Sequence, residues 1–312
     1  MGAILDGKKL SEEIKAGVKK EVEALNDIGV DVGLALLLVG ENPASLQYFQ
    51  ATLKACSNVG VTAYEYRLPG TVSSNEILNV VHSINMDDRI HGLLVLMPLP
   101  RRINPRRILN SIAPEKDIDG LGAISVGRLA ADESTFQLFR GEQGDLSRQS
   151  VVMPSVWSFL PCTPFGVIRL LEHHKVTLKG KHVVIIGKSL AVGKPLSLMF
   201  MAKDATVTVC HRETRNMGAI TRQADILCSA TGRTGLIKAN MVKQGAVVVD
   251  IGINVLKDGT IMGDVDFKSV SKKTSMITPV PGGVGPVTIS MLLENTLRSA
   301  QRNELFKSPL LI

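Results

Sequence analysis

A glycine-bounded turn between a predicted strand and a predicted helix is the strongest candidate for an anion site. Apart from His182, residues 182–186 are apolar and β-branched, which is typical of a strand buried in a parallel sheet. Gly187 ends this run, Gly193 lies six residues later, and Pro195 suits the first turn of a helix. The free backbone N–H groups there would face a pyrophosphate. The GxxxxxG spacing also occurs in α/β units that bind no nucleotide.

A second predicted strand, residues 205–210, bears on the choice of cofactor. It is followed by His211 and Arg212, and Arg212 lies 25 residues beyond Gly187. NAD-binding units place an acidic residue near this position to hold the ribose 2′-hydroxyl. Here the position is basic, and Lys188 in the turn adds a second cation. This pattern favours NADP over NAD, and two solvated surface cations are the alternative interpretation.

The composition predicts a globular chain that binds small anions. At 312 residues and 45% hydrophobic, the chain is long enough for two domains with separate cores. The net charge of +7 favours anionic ligands. Nucleic acid is not predicted, since no basic helix carries interleaved aromatic residues. The tightest basic cluster is interpreted as a solvated loop edge or as a site for a multiply anionic ligand tail: Arg101, Arg102, Arg106 and Arg107.

Neither a membrane span nor a metal site is predicted. No apolar run reaches the ~18 residues that a span needs. The first residues carry early charges and lack the apolar region of a signal peptide, so we expect a cytoplasmic protein. The cysteines are scattered without a CxxC pair, which predicts buried thiols rather than a zinc site or a disulfide framework. They are Cys56, Cys162, Cys210 and Cys228.

Strands and helices alternate along the first half of the chain. Continuous apolar runs predict strands, amphipathic stripes predict helices between them, and this alternation is typical of a parallel α/β sheet. Ser11 is the predicted N-cap of the first helix. The predicted helices cover residues 10–25, 45–60 and 74–84, and the predicted strands cover residues 33–39, 63–68 and 91–97.

The second half follows a polar, charged stretch, residues 132–150, that we interpret as the connection between two domains. Thr163 and Pro164 predict the start of a helix over residues 165–174. Two more strands are predicted over residues 226–230 and 246–251, and the last helix over residues 288–302.

Two features of this half predict a ligand site. In doubly wound sheets the ligand lies at the carboxyl ends of the strands, so Thr231, Gly232, Gly252 and Ile253 should face the cofactor. Residues 278–286, with the sequence TPVPGGVGP, are stiff at proline and open at glycine. Such a segment suits close approach to a flat ligand, or a rigid turn between domains.

The order of several motifs resembles one enzyme family. GENPASLQY, HGLLVLMPLP, PEKDIDGL, GKSLAVGKP, CHRET, DIGIN, GDV and PVPGGVGPVT follow one another over nearly the whole chain. Together they resemble the methylenetetrahydrofolate dehydrogenase/methenyltetrahydrofolate cyclohydrolase family. The resemblance implies two α/β domains around a cleft, usually in a homodimer, acting in one-carbon metabolism. It implies a folate domain over residues 1–150, with a helix over residues 286–312 packing back on it, and a Rossmann-type NADP domain over residues 151–285.

The resemblance also implies the site residues. Tyr48 would stack on the folate, and Asp119 would hydrogen-bond the pterin of a tetrahydrofolate derivative that carries one or more glutamates. The implied catalytic positions are Tyr48, Thr52 and Asp119. The implied substrate-binding residues are Ser45, Tyr48, Val95, Leu96, Met97, Asp119, Pro281, Gly282, Gly283, Val284 and Gly285. The implied NADP-binding residues are Gly187, Lys188, Ser189, Arg212 and Ile253, and no metal is implied.

Two central positions depart from the family pattern. The family helix reads Tyr-x-x-x-Lys, and its lysine drives hydrolysis, but the fourth residue after Tyr48 is Thr52. Leu96 stands where the family strand presents a glutamine to that lysine. At about 100° per residue, Lys54 would lie about 240° around the helix from Tyr48, so it should meet solvent.

This loss predicts an unequal effect on the two activities. Hydride transfer depends on geometry against the nicotinamide. Hydrolysis needs a positioned acid or base, which contributes ~10²- to 10⁴-fold. We therefore expect the dehydrogenase to survive and the cyclohydrolase to be weak or absent. Three alternatives remain open: both activities persist through Lys54 or ordered water, the chain is a silent folate-binding subunit, or it is an unrelated NADP dehydrogenase for a small acid.

Overall fold

Two parallel sheets, one of three strands and one of six, organise residues 2–131, 158–256 and 258–307, which the computed structural model describes. The three-stranded sheet has the order β3-β2-β4. Every residue of its central strand is buried, as its continuous apolar sequence predicts. Its elements are α1 (Gly7–Asp27), β2 (Gly33–Val39), α2 (Pro43–Val59), β3 (Thr62–Leu68), α3 (Ser74–Asn85), β4 (Gly92–Val95), α4 (Pro105–Leu109) and α5 (Ala123–Ala131).

The six-stranded sheet has the order β1-β11-β8-β7-β5-β6, and all its described pairs are parallel. Its elements are β1 (Ala3–Ile4), α6 (Cys162–His173), β5 (His182–Ile186), α7 (Gly193–Met201), β6 (Thr206–Cys210), α8 (Met217–Thr221), β7 (Ile226–Ser229), β8 (Val247–Asp250), α9 (Phe267–Val270), β11 (Met276–Ile277) and α10 (Val284–Lys307). A two-stranded hairpin, β9 (Asn254–Val255) and β10 (Ile261–Met262), lies outside it.

The structure confirms the two-domain α/β fold and adds one exchange between the domains. Although the sequence analysis assigns residues 1–150 to the first domain, β1 pairs with β11 in the second sheet. The proposed boundary near residue 150 and the connecting stretch 132–150 lie outside the described residues. The division into residues 1–150 and 151–285 stays a prediction.

The last helix, α10, joins the two halves by packing on α1 and α6. It begins at Val284, four residues before the predicted start. Ser11 was expected to cap α1, and this expectation is wrong: Asp6 is the N-cap. Ser11 is buried inside α1, where its hydroxyl lies 2.8 Å from the Ser290 hydroxyl and donates to the Pro286 carbonyl. The serine therefore fixes α10 against α1.

Two further expectations have clear outcomes. The helix expected to start at Thr163 starts at Cys162 instead, directly after Pro161, and it has no side-chain cap. All four cysteines are buried free thiols, as predicted. None of the helices in the described ranges is long and apolar enough to cross a bilayer.

Candidate functional site

The glycine turn after β5 has the geometry of a close-packed cradle. Gly187 adopts φ 119°, which strains a residue with a side chain. A Cβ at Gly187 would lie 2.3 Å from the Ala230 carbonyl oxygen, and a Cβ at Gly193 would lie 2.0 Å from the Gly187 carbonyl oxygen. Both positions therefore require glycine. The turn leads into α7, whose first residue is Gly193.

Ser189 holds the turn against the start of α7. Its hydroxyl accepts hydrogen bonds from the backbone N–H of Val192 at 3.2 Å and of Gly193 at 3.5 Å. Lys188 and Ser189 are exposed, so a ligand can reach them. The glycines let the turn fold tightly against the start of α7, and a helix N-terminus of this kind suits a pyrophosphate.

Arg212 lies at the carboxyl end of β6, the strand beside β5. Its side chain is 81% exposed, and its Nε donates to Glu213 at 2.9 Å. The structure thus brings Arg212 and Lys188 to the same edge of the second sheet. Their proposed role toward a 2′-phosphate stays a prediction.

Two carboxylates that the sequence analysis did not single out, Asp250 and Asp264, stabilise the neighbouring part of this edge. Asp250 ends β8 and accepts backbone N–H groups from Gly252 at 3.0 Å, Asp264 at 3.0 Å and Val265 at 2.9 Å. Burial raises the pKa of Asp250 to about 6. Both aspartates lie in motifs that carry the family resemblance, DIGIN and GDV. The pattern that could have identified them in the sequence is an acidic residue beside the end of a strand.

The opposite face of the site is built from α2 and the end of β4. Ser45, in the first turn of α2, donates its hydroxyl to the Met97 carbonyl at 2.9 Å. Leu96 is buried, and its backbone N–H donates to Leu37 at 2.9 Å, which extends the pairing beyond β4. The residue before it, Val95, is the last of β4. The predicted substrate residues of this strand and helix are therefore adjacent.

Thr52 is fully buried, and its hydroxyl is already engaged. Its Oγ1 donates to the Tyr48 carbonyl at 2.8 Å, one turn earlier in the same helix. Lys54 is exposed, as predicted from its position around the helix. The ammonium group nearest in sequence to the missing family lysine therefore faces solvent.

Tyr48, Asp119 and Cys162 face one another beside this helix. Burial and the nearby Asp117 carboxylate raise the pKa of Asp119 to about 7. Burial and Asp119 raise the pKa of Tyr48 well above its usual range. The Cys162 thiol lies 3.1 Å from the Ile118 carbonyl, and burial raises its pKa well above the usual range too. Of these three groups, Asp119 is the one that titrates near neutral pH.

Asn295 of α10 supports this cluster, and sequence reasoning missed it. Its Nδ2 donates to the Ile118 carbonyl at 2.8 Å and lies 3.4 Å from the Cys162 sulfur. No local pattern identifies Asn295, because its partners lie 177 and 133 residues away in the chain.

The segment with the sequence PGGVG, residues 281–285, lies between the start of α1 and Ile253 of the cofactor edge. The backbone N–H groups of Gly7 and Lys8, at the start of α1, donate to the Gly282 carbonyl at 3.1 and 3.0 Å. A Cβ at Gly7 would lie 1.8 Å from the Gly283 carbonyl oxygen, so the backbones are in direct contact. At the other end, a Cβ at Gly285 would lie 3.7 Å from Ile253 Cδ1.

The structure therefore brings the predicted wall of the folate pocket to a predicted NADP residue. Pro281 and Ile253 are exposed, whereas Gly283 and Val284 are buried. Within the described residues, no group of three His, Cys, Asp or Glu side chains could hold a metal ion.

A parallel sheet with a phosphate-type glycine turn, set against a second α/β lobe, defines a two-domain dehydrogenase of the NAD(P) type. Models of the tetrahydrofolate dehydrogenase/cyclohydrolase family match the chain with their catalytic domain over residues 5–119 and their NAD(P)-binding domain over residues 161–304. The chain belongs to this family.

Relatives of known name agree over almost the full length. The bifunctional protein FolD of Nautilia profundicola is 44% identical over 298 residues, which cover 96% of this chain and 97% of that protein. The crystal structure of the bifunctional FolD from Campylobacter jejuni is 44% identical, with a TM-score of 0.85 over 97% of this chain and 100% of that one. FolD of Trypanosoma brucei, complexed with NADP and an inhibitor, is 32% identical, with a TM-score of 0.85 over 97% of this chain and 98% of that one.

Proposed function

We propose that this protein oxidises 5,10-methylenetetrahydrofolate to 5,10-methenyltetrahydrofolate with NADP as the hydride acceptor, and that it lacks an effective hydrolytic step to 10-formyltetrahydrofolate. The observation that carries the second part is the state of Thr52. Its hydroxyl is buried and bonded to its own helix, and Leu96 is a buried apolar residue. Neither side chain can act as a general acid or base near neutral pH.

The dehydrogenase half needs binding and orientation from the protein. Tyr48 would present its ring to the folate, and Asp119 would accept hydrogen bonds from N–H groups of the pterin. The nicotinamide supplies the hydride-accepting carbon when it is bound. Gly187, Ser189 and the start of α7 would hold the pyrophosphate, since a glycine turn that ends at a helix N-terminus presents backbone N–H groups to an anion.

The hydrolytic half needs a proton carrier beside the bridging carbon. Hydrolysis requires an activated water and a protonated ring nitrogen, for which a positioned acid or base contributes ~10²- to 10⁴-fold. Loss of the lysine explains why the glutamine is also replaced. A buried glutamine without a hydrogen-bond partner would lower the stability by about 1 to 3 kcal/mol. The fold therefore accommodates the loss without leaving an unpaired group at either position.

NADP is the proposed cofactor because the edge of the second sheet carries Lys188 and Arg212. The FolD relative from Trypanosoma brucei, 32% identical, was solved with NADP. We also propose tetrahydrofolate derivatives with one or more glutamates as substrates, a homodimer as the assembly and the cytoplasm as the location. Light scattering on the purified protein tests the dimer.

The experiment follows two products in one reaction. Wild type receives 5,10-methylenetetrahydrofolate and NADP, and absorbance records NADPH and the methenyl product together. We expect the two to rise in equal amounts. NADPH that rises while the methenyl product stays low would overturn the proposal and favour a bifunctional enzyme. No NADPH at all would favour a silent folate-binding subunit.

The bifunctional alternative is kept because of the named relatives at 44% identity. It requires a proton carrier other than Lys54, which is exposed on α2. Asp119, with its pKa near 7, is the group that would have to serve. In that case Asp119→Asn would abolish hydrolysis measured with added methenyltetrahydrofolate.

A further inference from the structure

A buried carboxylate, Asp264, ties together loops that follow two strands of the second sheet. Its Oδ2 accepts hydrogen bonds from the Ser229 hydroxyl at 3.0 Å and from the Thr231 backbone N–H at 2.6 Å. Its Oδ1 accepts from the Arg233 backbone N–H at 3.0 Å and from Asn254 Nδ2 at 3.2 Å. A carboxylate has about four lone-pair positions, so both oxygens are fully used.

The surroundings fix Asp264 in this position. The side chain has no exposed surface, and its backbone N–H donates to Asp250 at 3.0 Å. A Cβ at Gly252 would lie 2.2 Å from Asp264 Oδ1, so the loop after β8 packs directly on the carboxylate. Asp264 therefore contacts the loop after β7 through its hydrogen bonds and the loop after β8 through packing and Asn254.

The sheet order indicates which part of a dinucleotide these loops would meet. The strands run β8-β7-β5-β6, with the glycine turn after β5 and Arg212 after β6. If the pyrophosphate lies at β5 and the adenosine at β6, the nicotinamide half must lie over β7 and β8, at their carboxyl ends. The loops that Asp264 joins, residues 230–233 and 251–254, occupy those ends.

We propose that Asp264 is a positioning residue for the cofactor: it holds loops 230–233 and 251–254 in the arrangement that receives the nicotinamide half of NADP. The proposal rests on the proposed function, since it takes this edge as the cofactor site. Asp264 itself touches neither cofactor nor substrate. It acts through the backbone N–H groups of Thr231 and Arg233, and through Gly252 and Asn254 on either side of Ile253.

The test is Asp264→Asn, which keeps the volume and replaces one acceptor oxygen by an NH₂ group. That group faces an N–H donor, whichever way the amide turns, and leaves a buried donor unpaired. We expect the Kd of NADPH, measured by its fluorescence on binding, to rise about tenfold. The KM for the folate should stay within about twofold, because Asp264 contacts no element of the folate face.

The matched control is Asp225→Asn at the opposite edge of the same sheet. Asp225 accepts the His182 backbone N–H at 3.0 Å and pairs with Lys243 at 2.6 Å. We expect this variant to lower the Tm without changing the Kd of NADPH. Should both variants raise that Kd equally, the effect is general destabilisation and the proposal is wrong.

A second variant, Asn254→Ala, removes one donor and leaves Asp264 in place. We expect a smaller rise in the NADPH Kd, of about threefold. If Asp264→Asn does not fold, the NADPH Kd of Asn254→Ala alone tests the proposal. A wild-type Kd in Asn254→Ala and in any folded Asp264→Asn would overturn the proposal. NADPH binding needs no folate, so a wild type that binds NADPH but oxidises no folate refutes the proposed function alone.

Discussion

The two faces of the proposed site differ in how their polar groups are satisfied. On the folate face, the Thr52 hydroxyl bonds to the Tyr48 carbonyl of its own helix, and Leu96 needs no partner. On the cofactor edge, Asp250 and Asp264 each take donors from several separate loops. A locally satisfied hydroxyl can replace a lysine without disturbing other elements, whereas removing either aspartate leaves several buried donors unpaired.

This difference indicates that the hydrolytic activity is easier to lose by substitution than the dehydrogenase activity. The lysine and glutamine of the family pattern correspond to Thr52 on α2 and Leu96 after β4, so two substitutions remove the pair. The cofactor edge depends on backbone geometry that is held by glycines and buried carboxylates. We therefore expect the redox half to persist where the hydrolytic half is gone.

The largest expected effect comes from restoring the missing pair. Thr52→Lys combined with Leu96→Gln should raise hydrolysis of methenyltetrahydrofolate by ~10²- to 10⁴-fold, because it supplies a positioned acid or base with its partner. The measurement is the rate of loss of the methenyl absorbance. Leu96→Gln alone is the control and should give no gain, while it loses about 1 to 3 kcal/mol of stability. An inactive double variant that is folded would contradict the assignment of these positions.

The next effect breaks the cofactor edge instead. In Gly193→Ala the new Cβ would lie 2.0 Å from the Gly187 carbonyl oxygen, so the turn must open. Overpacking of this kind costs about 1 to 3 kcal/mol, which corresponds to a rise of about 5- to 150-fold in the NADPH Kd. Fluorescence titration with NADPH measures this change.

Gly17→Ala is the matched control. Gly17 lies within α1, and a Cβ at this position would meet no atom within 4 Å outside the neighbouring backbone of its own helix. We expect a gain of about 0.5 to 1 kcal/mol in stability and an unchanged Kd. Equal Kd values in both glycine variants would argue against the turn as the cofactor site.

A third prediction concerns pH at the folate face. Because the pKa of Asp119 is raised to about 7, the group is mostly protonated below that pH and ionised above it. The ionised form is the better acceptor for pterin N–H groups. The KM for the folate should therefore fall about tenfold as pH rises through 7. Asp119→Asn should give a higher KM with a flat pH profile, and a profile like that of the wild type would contradict the role.

The smallest expected effect is at Arg212, whose side chain is 81% exposed. Arg212→Ala should lower the preference for NADP over NAD by up to about fivefold, since an exposed ion pair contributes up to about 1 kcal/mol. The effect should shrink at high salt. Ratios of kcat/KM for the two cofactors measure it, and Arg215→Ala is the comparison. An unchanged ratio in Arg212→Ala would contradict the proposed role and favour the alternative that Arg212 is a solvated surface cation.

Much of the fold could be predicted from sequence because buried parallel strands are continuous apolar runs. The strands at residues 33–39 and 182–186 have the predicted bounds. The two-residue strand β1 carries no such pattern, so its pairing with β11 could not be foreseen. Ser11 misled the analysis because a serine suits a helix cap and a buried helix contact equally well.

The candidate site divides in the same way. The glycine turn and the departures at Thr52 and Leu96 can be recognised from motifs. The network around Asp264 cannot, because its partners come from separate elements. Asp264, for instance, bonds Thr231, 33 residues earlier in the chain.

The most direct test of the central claim supplies 5,10-methenyltetrahydrofolate to the wild-type protein without NADP. Its disappearance is compared with spontaneous hydrolysis in the same buffer without protein. The account predicts equal rates at every protein concentration. A hydrolysis rate that increases in proportion to protein and saturates with substrate would contradict it.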